Sequence, residues 1–182
     1  MTKLTLACFA GALTLAAQTP DLKTLSGGAQ ALHNQTKKAL IAAAEKMDAA
    51  NYSYAPTDGV RTFGQLVGHV ADAQYSFCSA AMGEKNPAPG IEKSKTEKAD
   101  LVAAIKDGMV YCDKAYAATT DANVAEIVKF FGGERTRLNV LSFNSTHNYE
   151  HYGNMVTYMR MKGVVPPTSE RAPAPAPAPA KQ

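Results

Sequence analysis

Tryptophan is absent from this 182-residue chain, histidine occurs four times and cysteine three times, and charge of neither sign dominates: 19 Lys and Arg stand against 16 Asp and Glu. A formal charge of +3 gives no electrostatic footprint for nucleic acid. Strand-like alternation of apolar and polar residues is missing too, which argues against a β fold. The one long apolar run, Leu4 to Leu15, is too short to span a bilayer. With so few histidines, a transition-metal site has few side chains to draw on.

That apolar run opens the chain. Lys3 ahead of it and Ala16-Ala17 behind it give the composition of a secretory signal over residues 1–17. Cys8 follows Leu6-Ala7 and invites a lipoprotein reading, against which stands the short hydrophobic stretch ahead of it; an uncleaved N-terminal anchor is a further alternative. Signal removal leaves 18 basic against 16 acidic residues, a periplasmic or secreted location, and no membrane attachment. The exported part keeps Cys78 and Cys112, an even count in an oxidising compartment. A disulfide between helices two and three is the natural expectation, with two buried free thiols as the alternative.

Residues 18–168 are long enough for one core, and four segments carry helical spacing. Leu32, Thr36, Leu40, Ala43 and Met47 recur within Ala29 to Ala49, and His33 borders that stripe as a surface or rim residue. A second helix starts at Thr62, which with Gln65 forms a capping box, and carries Leu66, His69, Ala73, Phe77 and Ala80 on one face up to Gly83. Ser94 to Glu97 reads as another capping box, ahead of Leu101, Ile105, Met109, Cys112 and Tyr116. Residues 119–133 break the pattern but are too apolar for a solvated linker, so they should pack across the bundle as a short helix or an extended segment. The fourth helix runs from about Thr136 to Met161 on a stripe of Val140, Phe143 or Asn144, His147, His151, Met155 and Tyr158, with Gly163 as its stop. The alternating Ala-Pro tail, residues 169–182, has no face to bury and is expected to be a disordered spacer. The fold class is all-α, a four-helix bundle. Hairpin-like composition between helices two and three, and long connections after helices one and three, predict an up-up-down-down order.

Function rests on Asn144 to Asn154. His147 and His151 are one helical turn apart and can chelate one ion. Two imidazoles hold a transition metal weakly; His69, on the inward stripe of helix two, is the candidate third ligand. Three neutral imidazoles leave a coordination position open, as catalytic sites require. Zn²⁺ is the default divalent ion for such ligands, and Ni²⁺, Fe²⁺ and Mn²⁺ share the ligand chemistry. Asp72, one turn after His69, and Asn144, one turn before His147, are candidates to orient a ligand from behind. A rival reading takes His147 to Glu150-His151 as the His-x-x-Glu-His of inverted zinc peptidases, with Glu150 as base; the further carboxylate ligand could only be Glu170, at the edge of the tail. A non-catalytic bundle holding metal for stability or sequestration is the alternative outside enzymology.

Thr62 to Gln74, and His147 to Met155 running on to Tyr158 and through Gly163-Val164-Val165-Pro166-Pro167, resemble the DinB family over roughly residues 30–168. The resemblance implies an up-up-down-down bundle, often a homodimer, with a three-histidine site for a divalent metal that carries over to His69, His147 and His151. It implies a small-molecule substrate of unknown identity: some relatives are similar to thiol-dependent transferases or isomerases, and many have no assigned reaction. The signal-like N-terminus departs from the cytosolic members, in whose compartment thiols are kept reduced.

Overall fold

Thr62 ends an extended stretch and begins α2 (Phe63–Met82): its hydroxyl accepts from Gln65 N while the Gln65 side chain accepts from Thr62 N, the reciprocal pairing expected of this sequence. The computed structural model describes residues 19–170. The signal-like segment 1–17 lies outside the described residues, as does all of the Ala-Pro tail beyond Glu170. Ahead of α2 comes α1 (Leu25–Lys46), four residues longer at its start than expected. Thr24 caps it through Gly27 N, and the Asp121 carboxylate accepts from Ser26 N, a contact from 95 residues away that no local pattern reveals.

The second expected capping box does not form. Ser94 closes a single helical turn, α3 (Ile91–Ser94), and α4 (Lys98–Ala117) starts after Glu97, which makes no side-chain cap. Thr136 caps α5 (Arg137–Met161), whose span is the expected one, and the helix ends in a Schellman arrangement in which Gly163 N–H donates to Arg160 O and Val164 N–H to Met159 O. Gly163 has φ +70, which the left-handed turn requires. Between α4 and α5 the apolar segment takes the extended one of the two expected forms, and it pairs with itself. β1 (Ile127–Phe130) and β2 (Gly133–Thr136) form an antiparallel hairpin with Phe131 and Gly132 at its tip.

Helix directions correct the expected bundle order. Lys98 reaches Glu45 O while Asp113 reaches Lys37, so α1 and α4 are antiparallel. Gly68 packs on Leu101, Gly108 on Gln74 and Cys78 on Cys112, so α2 and α4 are parallel. His69 meets His147 and Arg137 donates to Ala81 O, so α5 opposes α2. The order is therefore up-down-down-up. Residues 47–62 do not run the bundle's length: Gly64 N–H donates to Tyr52 O and Phe63 N–H to Tyr54 O, folding the connection over one end. It is residues 83–97, with a hairpin's composition, that travel back along α2.

Two apolar clusters fill the bundle. Leu40, Met47, Phe63, Val67, Leu101, Ile105, Met155 and Met159 pack at one end, and Phe77, Cys78, Cys112, Tyr116, Phe130 and Leu141 at the other. Full burial of such side chains contributes about 1.5–3 kcal/mol each. Buried polar side chains lie between the clusters: Gln74 donates to Asn148, and Tyr116 donates to Leu141 O and meets Ser145. His33 belongs here, not at the rim. It is 1% exposed, stacked on Tyr116 at 4.2 Å, with Nε2 2.9 Å from Asp113 Oδ1. The stripe of α1 could not reveal this, because the partners come from α4.

Candidate metal centre

Antiparallel packing of α2 against α5 brings His69 to the level of the His147/His151 pair. His147 Nε2 lies 3.1 Å from His69 Nε2 and 3.1 Å from His151 Nε2, and the ligand atoms of all three rings fall within 4.8 Å of one another. A proton on His147 Nε2 can bridge only one of those two contacts, so three neutral imidazoles by themselves leave one unmade. A cation shared by the three lone pairs satisfies both. The separation suits it: ligands about 2.0–2.1 Å from a tetrahedral ion stand roughly 3.3 Å apart.

The electrostatics favour the ligating form of the rings. Burial, then the charges His151, His69 and Arg61 would present, push His147 down to about 3. His151 is lowered by burial and next by His69, against a partial opposing pull from Glu150 and Glu92. Both are therefore neutral near pH 7, as metal binding demands.

Behind the rings stand residues that the sequence did not single out. Glu92 Oε2 is 3.2 Å from His69 Nδ1, and its Oε1 accepts from Arg61 Nε at 2.8 Å. Burial alone would raise the Glu92 pKa; the Arg61 pair and His69 outweigh it and hold the carboxyl below its ordinary value. An ionised carboxylate only accepts, so His69 carries its proton on Nδ1 and directs the Nε2 lone pair at the cluster. Asn154 places its amide 3.4 Å from His151 Nδ1, while His147 Nδ1 is buried without a partner.

Asp72 and Asn144 are not where the helical spacing suggested. Asp72 hydrogen-bonds to none of the histidines; its two oxygens accept from Ile91 N and Glu92 N, each at 2.8 Å, and so hold α3 and Glu92 in place. A carboxylate at the start of a turn finds the free backbone N–H groups there before it finds an imidazole one turn away. Asn144 faces inward, toward Cys78 Sγ, Cys112 Sγ and the Tyr116 hydroxyl. Three residues along α5 fall about 60° short of a full turn, enough to aim it at the core. The two cysteines lie at disulfide distance, their Cα atoms 5.2 Å apart. Glu150, the base of the peptidase-like pattern, is exposed, and Glu170 pairs with Lys46 at the surface, so the further carboxylate ligand of that pattern is not supplied. The signal for Glu92 is non-local, since it lies in a different helix from each histidine.

Two cavities flank the triad. One, about 680 Å³, is lined by Arg61, Glu92, Glu150, His151, Asn154 and Tyr158. The other, about 460 Å³, is walled by Phe77, Phe131 and Phe143 beside His69 and His147. A larger cavity, about 1370 Å³, opens between the end of α1 and the start of α4; Glu92 lines it, and the histidines do not. Among the described residues, no helix is long and apolar enough to cross a membrane.

Solved structures share this architecture. A DinB-like protein from Bacillus cereus ATCC 10987 superposes with a TM-score of 0.66 at 20% identity, over 81% of this chain and 98% of its own. A DinB-like protein from Bacillus subtilis does so with a TM-score of 0.64 at 21% identity, over 80% and 99% respectively. Comparison by sequence with curated proteins gave no match. The sequence model of the DinB superfamily matches residues 32–155, from α1 through all three histidines and most of α5, and the chain belongs to that superfamily.

Proposed function

We propose that the protein is an exported metal-dependent enzyme, a hydrolase or transferase of a small molecule, with one divalent ion held by His69, His147 and His151. The observation that carries this reading is the convergence of three Nε2 atoms between two cavities. A structural or sequestering site is closed, whereas this one has space on both sides for a substrate. Export rests on the composition of Lys3, Leu4 to Leu15 and Ala16-Ala17.

A divalent ion there would act as a Lewis acid toward a substrate oxygen. The chain's own residues divide the remaining work. Glu92 fixes the tautomer of His69, and Arg61 keeps Glu92 ionised while presenting positive charge to the 680 Å³ cavity. Tyr158, donating to Arg61 O at 2.9 Å, ties that segment to α5. Glu150 reaches the same cavity from the exposed side of α5, where it can exchange protons with solvent.

Metal analysis of protein purified from its native compartment tests the reading. One equivalent of a divalent ion is expected, falling at least about tenfold in occupancy when any one of the three histidines is replaced by Ala. His33→Ala should leave the stoichiometry unchanged. Full occupancy in His69→Ala would overturn the site.

A further inference from the structure

Phe131 is the one non-glycine residue with positive φ among the described residues, at +47, followed by Gly132 at +75. Two successive left-handed residues make the tight hairpin turn that joins β1 to β2, and such a turn favours Asn or Asp at its first position. Phenylalanine there is strained and gains little by burial, for the residue is 72% exposed. Its ring stacks on Phe130 at 4.1 Å and stands edge-on to Phe77 at 5.9 Å. Phe77 in turn meets His147 edge-on at 5.1 Å. An aromatic wall thus runs from the hairpin tip to a histidine of the candidate metal centre. Strain kept at a cavity mouth is an indication of use.

Several of the polar acceptors on this side are already engaged. Both Asp72 oxygens accept backbone N–H groups, Asn86 Oδ1 accepts from Ala88 N, and His69 Nδ1 faces Glu92. Arg61, Glu92 and Glu150 line the opposite cavity. Among the described residues no Lys or Arg side chain lines this cavity, and the surface nearest the hairpin is the faces and edges of three phenyl rings, which suits a flat apolar group. Resting on the metal-enzyme reading, we propose that the 460 Å³ cavity is a specificity subsite for an aryl group of the substrate, with Phe131 and Phe143 as its walls and the reacting end of the substrate at the histidines.

The test uses two kinds of probe on the full chain and on Phe131→Asn, a substitution that suits the turn. For the zinc-loaded protein, benzohydroxamate is expected to bind about tenfold or more tightly than acetohydroxamate, because one carries a ring to bury and the other does not. In Phe131→Asn that ratio should fall toward one while the thermal midpoint holds or rises. p-Cresol, followed by the ring resonances of Phe131 and Phe143, probes the cavity without metal. If one equivalent of zinc binds but the two hydroxamates bind equally, the subsite is overturned and the metal centre stands. If zinc does not bind but p-cresol shifts those resonances and loses affinity in Phe131→Asn, the subsite stands and the metal reading falls. Loss of the thermal midpoint in Phe131→Asn with aryl preference retained would assign Phe131 to folding and overturn the proposal.

Discussion

Glu92 reaches His69 from a one-turn helix whose backbone is held by Asp72, so the tautomer of one candidate ligand depends on a carboxylate 23 residues away. Glu92→Ala is expected to weaken zinc binding about 10- to 100-fold by titration calorimetry. Glu92→Gln should keep part of that affinity, because its amide oxygen still accepts from Nδ1–H; equal losses in the two variants would remove the tautomer argument. Asp113 works at the same scale, away from the metal. Burial alone would raise its pKa, but hydrogen bonds from His33 and Lys37 hold it below the ordinary carboxyl value. A carboxyl depressed in the folded state stabilises above its unfolded pKa, and the contribution is lost as pH falls through the folded value. The thermal midpoint should therefore drop as pH falls below about 4, and less steeply in Asp113→Asn. At neutral pH that variant should lose about 1 kcal/mol, a modest figure because the Asp113 side chain is 39% exposed.

Among the elements, α2 and α3 approach so closely that Gly68 is obligatory. A Cβ there would lie 2.9 Å from Glu92 Cα, a backbone atom that cannot swing aside as a side chain would. Gly68→Ala is expected to cost about 1–3 kcal/mol in denaturant unfolding. It should also weaken zinc binding by moving Glu92 off His69, although residue 68 carries no ligand atom; unchanged affinity would show that the α3 position is not coupled to the site. Thr62→Ala removes one half of the capping box and should cost about 1 kcal/mol, without altering metal stoichiometry, since α2 is held along its length by α4 and α5.

Over the whole molecule, Cys78 on α2 and Cys112 on α4, 34 residues apart in sequence, stand at disulfide distance inside the cluster that holds Phe77 and Tyr116. Reducing agent should lower stability by about 2–4 kcal/mol, and Cys112→Ala should be indifferent to reductant. Two thiols titrating in the unfolded, unreduced protein would refute the bond.

The helices were legible in the sequence because each stripe and cap is local: Thr62 with Gln65, Thr136 with the run to Met161, and Gly163 as the stop lie within a few residues of what they govern. The histidine triad was legible for a related reason, since one-turn spacing places His147 and His151 together and inward stripes leave few other places for His69. The direction of each helix, the pairing of residues 127–136, the burial of His33 and the part played by Glu92 were decided only by tertiary packing. Each turns on which other segment supplies a partner: Asp113 for His33, Asp72 for the α3 backbone, and β2 for β1. Local periodicity says which face of a helix is apolar, but a hydrogen-bond partner in another segment carries no period to read.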